Sequence, residues 1–239
     1  MKLIADGGAI TKNVTANTRD AIILGLNTYY VDGFKLQLYM TKDHQIISLS
    51  DETYQFFSEH IGKISEKTLP ELLHYNVGTN VQKQQIITLK EILTIFQNYQ
   101  KELVLELVDQ GNKNALFTDV ILTMIRPYAG LSIYLESKSL EIVSYLKSSL
   151  TNHPIGVIVS HDTRSNWYED VDFYDIQLSL LNEFDIRKKI EKNKLVMLDE
   201  INRREVFDLV YQEYQDVFNS IFIITAFISI INTPQPRFF

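Results

Sequence analysis

The sequence predicts an α/β fold, a (β/α)₈ TIM barrel with a small insertion after the second strand, and three observations carry that prediction. Apolar runs of strand length recur along the chain, eight of them, beginning at Leu3, Phe34, Leu103, Leu131, Ile155, Phe173, Leu195 and Phe222. Most are separated by segments whose apolar residues fall at helical spacing, and such alternation of strand and helix builds a parallel sheet. Finally, 239 residues with only 9 Gly and 5 Pro, none gathered into a linker, suit one large barrel, read as a single domain over 1–239.

Each element has its own local cause. Leu3-Ile4-Ala5 is a short strand stopped by Asp6-Gly7-Gly8, where glycine permits a sharp exit. Asn17-Thr18 is placed to cap a helix through Ala21, Ile22, Leu24, Gly25 and Leu26. In the second strand Phe34, Leu36 and Leu38 alternate with Lys35 and Gln37, so two polar side chains share one face, as barrel-lining residues would. Thr41-Lys42-Asp43-His44 reads as a turn into a second extended piece, Gln45 to Leu49. The stretch of about 51–86 is polar and mixed, with short helical fragments such as Leu69 to Tyr75, and reads as an insertion over one end of the fold. Thr88 with Glu91 three residues on has capping-box spacing for the next helix. Leu103 to Val108 is almost wholly apolar, as a strand covered on both faces would be, with Glu106 the exception. Helices are then expected over 115–125, 139–150, 181–191 and 203–214, between strands at 131–135, 155–159, 173–176, 194–198 and 221–225. A short apolar and aromatic tail, 226–239, ends in Phe238-Phe239, which could dock on this barrel or on a second copy.

Composition excludes several function classes. With 45% hydrophobic and 22% charged residues the chain has the makings of a sizeable core. A net charge of −7 without a concentrated basic run argues against nucleic-acid binding, which depends on Lys and Arg neutralising phosphates. The absence of cysteine rules out disulfides, thiolate metal sites and cysteine nucleophiles. The first residues run directly into a strand pattern, without the apolar stretch of a signal peptide, and the longest apolar run, Ile221 to Ile231, falls short of the ~20 residues of a membrane span. A cytoplasmic protein without a transmembrane segment is the expectation, or a soluble domain of something larger.

Ile4-Ala5-Asp6-Gly7-Gly8-Ala9, Ala16-Asn17-Thr18, the run Asp32-Gly33-Phe34-Lys35-Leu36-Gln37-Leu38 with Thr41-Lys42-Asp43, Ser50-Asp51, the strand around Glu106, Asn202 and Ile223-Ile224-Thr225 stand in an order and spacing that resembles the glycerophosphodiester phosphodiesterase family. The resemblance covers residues 3 to 226 and implies a metal-dependent phosphoric diester hydrolase on a TIM barrel. The framework residues match while the chemical ones differ. The resemblance places Asp6 and Ser50 where the family has its acid and base histidines, and Gly7 where it has a phosphate-holding arginine. It places Lys35 and Gln37 at two of the three metal carboxylates, keeps Glu106 as the third, and puts Val108 and Asp199 at a later lysine and tryptophan.

The losses have consequences. A serine does not shuttle protons near neutral pH as an imidazole does. A divalent cation such as Mg²⁺ or Ca²⁺, the family's cofactor, needs several oxygen ligands and anionic charge, which one carboxylate, one amide and an ammonium do not supply. The expected site therefore has no catalytic residue, no metal and no other cofactor, and its residual pocket comprises Asp6, Lys35, Gln37, Ser50, Glu106, His161 and Asn202. Lys35 is expected to pair with Glu106 in place of the metal, since a buried charge needs a partner, and Asp6 to hydrogen-bond the amides of its glycine loop. His161-Asp162, with Arg164 nearby, follows a strand at the end where barrels put their chemistry. The sequence thus reads as a catalytically inactive barrel acting through a small ligand or a protein partner, a homodimer among the options. The alternatives are a divergent phosphodiesterase using Glu106 with Asp6 and His161, and a structural or regulatory subunit beside an active paralogue.

Overall fold

Eight parallel strands close on themselves in the computed structural model, which describes residues 1–149, 151–163, 169–183, 186–192 and 194–226. The strands are β1 (Lys2–Asp6), β2 (Gly33–Met40), β5 (Glu102–Leu107), β6 (Ser132–Ser137), β7 (Ile155–Val159), β8 (Phe173–Gln177), β9 (Leu195–Asp199) and β10 (Ile221–Thr225), with β3 (Ile46–Ser48) and β4 (Ile87–Thr88) as an antiparallel extension of β2. Around the ring the order is β1, β10, β9, β8, β7, β6, β5, β2, and the pairing of Ile4 with Gly33 and Asp6 with Lys35 returns β2 to β1. This is the expected TIM barrel, and each of the eight strand starts lies within one residue of the sequence reading.

The helices between the strands are α1 (Arg19–Leu26), α2 (Asp51–His60), α3 (Leu69–Leu72), α4 (Leu89–Phe96), α5 (Asn114–Ile125), α6 (Leu140–Ser148), α7 (Ile186–Glu191) and α8 (Arg204–Glu213). Thr18 caps α1 through the Ala21 amide, and Thr88 with Glu91 forms the capping box of α4. Where one helix was expected over 181–191, a 3₁₀ turn spans Leu178–Glu183 and α7 begins only at Ile186. The segment after β3 is also more ordered than its polarity suggests. α2 is ten residues long with Ser50 as its cap, yet its buried anchor is Phe57, so one apolar contact left little helical periodicity to read. Phe57 joins Tyr39, Ile47, Leu49, Ile64, Leu72, Val77 and Ile86 in a small core of its own.

Inside the barrel, Ile4, Val104, Phe173, Met197, Phe222 and Ile224 pack with Tyr134 and Leu195. The Tyr134 ring meets Phe173 and Phe222 edge-on at centroid separations of 5.7 and 5.6 Å. Phe173 fits because the neighbouring strand offers Gly156, where a Cβ would lie 2.2 Å from the Phe173 ring. Gly156→Ala is therefore expected to destabilise the barrel by about 1–3 kcal/mol through overpacking, read from the midpoint of urea unfolding. An unchanged midpoint would mean that this layer is not tightly packed.

Candidate functional site

Above the apolar layer the inward-facing positions of six of the eight strands turn polar, whereas β7 keeps an apolar residue, Ile158, at the cleft. Along a strand, residues two apart point to the same face, so Ile4 is followed inward by Asp6, Val104 by Glu106, Tyr134 by Glu136, Phe173 by Asp175 and Met197 by Asp199. β2 contributes Lys35 and Gln37 on the same face. Asp6, Glu106, Glu136 and Asp199 lie in the last two residues of their strands, the end where barrels of this kind carry their sites, while Asp175 is the middle residue of β8 and Lys35 the third of β2. The cleft above them holds about 150 Å³.

Lys35, 3% exposed, is the centre of this cluster. Its Nζ lies 2.5 Å from Asp175 Oδ2, 2.9 Å from Asp199 Oδ2, 3.3 Å from Glu136 Oε1 and 3.8 Å from Glu106 Oε2. The expected ion pair with Glu106 is present at 3.8 Å, but it is the longest of four, and Lys35 donates its hydrogen bonds to Asp175 and Asp199. Ring order supplies the reason. β8 stands diametrically opposite β2, so a lysine extended across the bore meets the far wall. Glu106 is beside Gln37 in the register, one inward step higher than Lys35, whose own neighbour on β5 is Val104.

One ammonium among five carboxylates leaves negative charge in excess, and burial raises its cost. Burial, then the charge of Asp199, push the Asp6 carboxyl up to about 7. Burial pushes Asp175 to about 7 against the attraction of Lys35, and holds Glu136 well above the usual carboxylate range. Burial alone would lower Lys35, but Asp175, Asp199, Glu136 and Glu106 together reverse that and keep its ammonium well above the ordinary lysine value. Glu136 lies within ion-pair distance of Lys35, yet among the described residues neither of its oxygens accepts a hydrogen bond, nor does Asp175 Oδ1.

The remaining sequence-selected residues divide. Gln37 lines the cleft, and its Nε2 donates to Asp51 Oδ1 at 3.1 Å. Ser50 lies outside that lining and is an N-cap, its Oγ accepting the Thr53 amide of α2 at 3.2 Å. Asn202 also lies outside, tying the end of β10 by accepting from Thr225 Oγ1 and the Ala226 amide. His161 is exposed and its ring does not line the cleft, while Arg164 and the tail from 227 onward lie outside the described residues. The Asp6 carboxylate takes no hydrogen bond from its loop amides. Gly7 N–H instead donates to the Lys35 carbonyl at 2.8 Å, continuing the ladder past the Asp6–Lys35 pairing, and the positive φ of Gly7 (69°) takes the chain out of the strand after it. Three participants lay outside the expected pocket, Glu136, Asp175 and Asp199, each an acid two residues after an inward apolar side chain within its strand.

The residues present do not fit the divalent ion that the resemblance implies. A cation held on Glu106 at the usual ~2.0–2.6 Å would share its space with the Lys35 ammonium, 3.8 Å from that carboxylate. Among the described residues no three His, Cys, Asp or Glu side chains converge as ligands.

Fold and site together define a closed parallel barrel with a polar, acid-rich mouth. The chain has the fold of the glycerophosphodiester phosphodiesterases. It is similar to a phosphodiesterase from Oleispira antarctica solved with the product sn-glycerol-3-phosphate, at TM-score 0.80 and 17% identity over 98% of this chain and 97% of that one. It is similar also to such enzymes from Parabacteroides distasonis, at 0.76 and 14% over 94% and 92%, and Thermotoga maritima, at 0.69 and 17% over 96% of both chains. No family model and no curated protein matches the sequence. No helix among the described residues is long and apolar enough to cross a membrane.

Proposed function

We propose that this chain is a glycerophosphodiester phosphodiesterase-like barrel that has lost hydrolysis and acts by binding a small ligand or a protein. The observation that carries the reading is the position of Lys35, whose ammonium stands among Asp175, Asp199, Glu136 and Glu106 at 2.5–3.8 Å and supplies the positive charge there itself. An anionic phosphodiester entering the cleft would face six carboxylates, from Asp6, Asp51, Glu106, Asp175, Asp199 and Glu200, against two lysines. A cytoplasmic setting fits a chain without cysteine.

One observation favours a second reading, a divergent hydrolase of glycerophosphodiesters in phospholipid and glycerol metabolism. Asp6 and Asp175, both pushed to about 7, have the poise wanted of a general acid and base at neutral pH. Incubation of the purified chain with glycerophosphocholine and glycerophosphoethanolamine, with Mg²⁺ or Ca²⁺, separates the two. No release of glycerol phosphate above buffer is expected, and partial activity is expected only in the combined variant Asp6→His, Lys35→Glu, Gln37→Asp, Ser50→His. Turnover by the unmodified chain that Asp6→Asn abolishes would establish the hydrolase instead.

A further inference from the structure

Pockets that enclose a small molecule run to ~300–1,000 Å³, whereas the cleft holds about 150 Å³. A barrel that binds a ligand there needs a wall that yields. The lining comes from strands of the closed ring and the turns that follow them, with one exception among the described residues, Asp51 at the start of α2. α2 roofs the β2–β5 side of the mouth. On β2 the inward positions Lys35 and Gln37 are followed on the same face by Tyr39, which is only 1% exposed. Its cover is the Tyr54 ring of α2, stacked on it at a centroid separation of 4.7 Å and 14°, together with Asp51. Asp51 Oδ1 accepts from the Tyr39 hydroxyl at 3.4 Å and from Gln37 Nε2 at 3.1 Å. On β5 the residue two beyond Glu106 is Val108, and it packs against the same small core as Tyr54 and Phe57.

This roof is held lightly. Among the described side chains of α2, ten residues long, Phe57 alone is buried, whereas α4 buries Leu89, Ile92, Leu93 and Phe96 within eight. Segments with few buried apolar contacts are the first to open. Ten residues also fall short of the ~12–15 that sustain an isolated helix in water, so α2 melts once it leaves the barrel. Just beyond it Gly62, at φ 89°, stands in open space, where a Cβ would meet nothing closer than Glu66 Oε2 at 4.0 Å, and serves as a pivot. We propose that α2 is a gate on the barrel mouth. It opens by local unfolding, separately from the barrel, when Asp51 leaves Gln37 and Tyr39, and its opening enlarges the cleft over β2 and β5. The inference rests on the binding reading above and adds how that same site is entered.

Hydrogen exchange of the full chain, read by mass spectrometry, tests this. The α2 amides, such as those of Tyr54 and Ile61 that donate to the Ser50 and Phe57 carbonyls, are expected to be protected at least ~100-fold less than the amides pairing β2 with β5. Gln37→Leu, which keeps the length and removes the donor to Asp51, is expected to speed α2 exchange about five-fold, the effect of one net hydrogen bond, and to leave the β2–β5 amides unchanged. Should that variant fail to fold, Asp51→Ala, which removes the acceptor, carries the same expectation. Widening of the cleft is read separately with Glu106→Cys, the sole thiol in a chain without cysteine. Its reaction with a bulky dye maleimide is expected to quicken about five-fold when Gln37→Leu is added, while its reaction with methyl methanethiosulfonate keeps its rate. Protection of α2 equal to that of the barrel strands, or α2 exchange unchanged by the loss of either bonding group, overturns the gate. Bulky labelling that ignores Gln37→Leu overturns it too, since α2 would then open without widening the cleft. No gating in a chain that also lacks phosphodiester turnover overturns the gate and leaves the non-catalytic reading standing. Gating in a chain that turns over glycerophosphocholine supports the gate and overturns the reading beneath it.

Discussion

Lys35→Met is expected to destabilise the protein by about 3–5 kcal/mol at pH 8, the cost of removing one partner from a buried ion pair. The methionine fills nearly the same volume, so the loss is electrostatic. Asp175 and Glu136, completely buried, and Glu106, almost so, would keep their charge or their desolvated carboxyls without the ammonium that lies 2.5, 3.3 and 3.8 Å away. At pH 5 the penalty is expected to shrink, because Asp6 and Asp175, pushed to about 7, hold protons there, and Glu136 is shifted in the same direction. Urea unfolding at both pH values reads this. A loss at pH 8 no larger than the ~1 kcal/mol of an exposed pair would mean that Lys35 does not organise the mouth of the barrel.

The unmodified protein should itself lose stability as pH rises from 5 to 8. Asp6 and Asp175 titrate near 7 when folded and near their ordinary 3.8 when unfolded. Between those values the folded state keeps protons that the unfolded state has released, so the unfolding free energy falls with pH across the window. Glu136, raised well above its ordinary value, carries the decline further in the same direction. The raised Lys35 has the same sign but acts elsewhere, since what it contributes is lost only as pH climbs through its elevated folded value. Asp43 and Glu71, held below the usual carboxylate range, are exposed and act only in more acid solution. The expected change is on the order of a few kcal/mol, and Asp175→Asn should flatten it. A Tm that rises from pH 5 to pH 8 would contradict the raised titration of Asp6 and Asp175.

These two expectations concern residues whose legibility differed. Lys35 and Gln37 could be placed inside a barrel because Phe34, Leu36 and Leu38 mark the opposite face of the same strand. Glu106 stood out because one acid interrupts an apolar run. Asp175 and Glu136 followed the same rule but were hidden by mixed surroundings, Tyr-Asp-Ile-Gln and Leu-Glu-Ser, where polar residues on both faces blur the period of two. Ser50 illustrates the converse. The resemblance aligned it with an acid–base position, and the local chain uses it to cap a helix that its polar sequence scarcely announces.

The sequence by itself determined the barrel, its eight strands and the inward face of β2, because strand length, period and helical crossover are local properties written into neighbouring residues. Only the tertiary structure decided which charges meet. Lys35 finds Asp175 and Asp199 from 140 and 164 positions away, and that choice depends on which strands stand opposite each other once the sheet has closed. A closed ring brings distant strands to one axis, and the reach of one side chain across that axis settles whether the mouth holds a lysine–glutamate pair or a lysine amid unbalanced carboxylates.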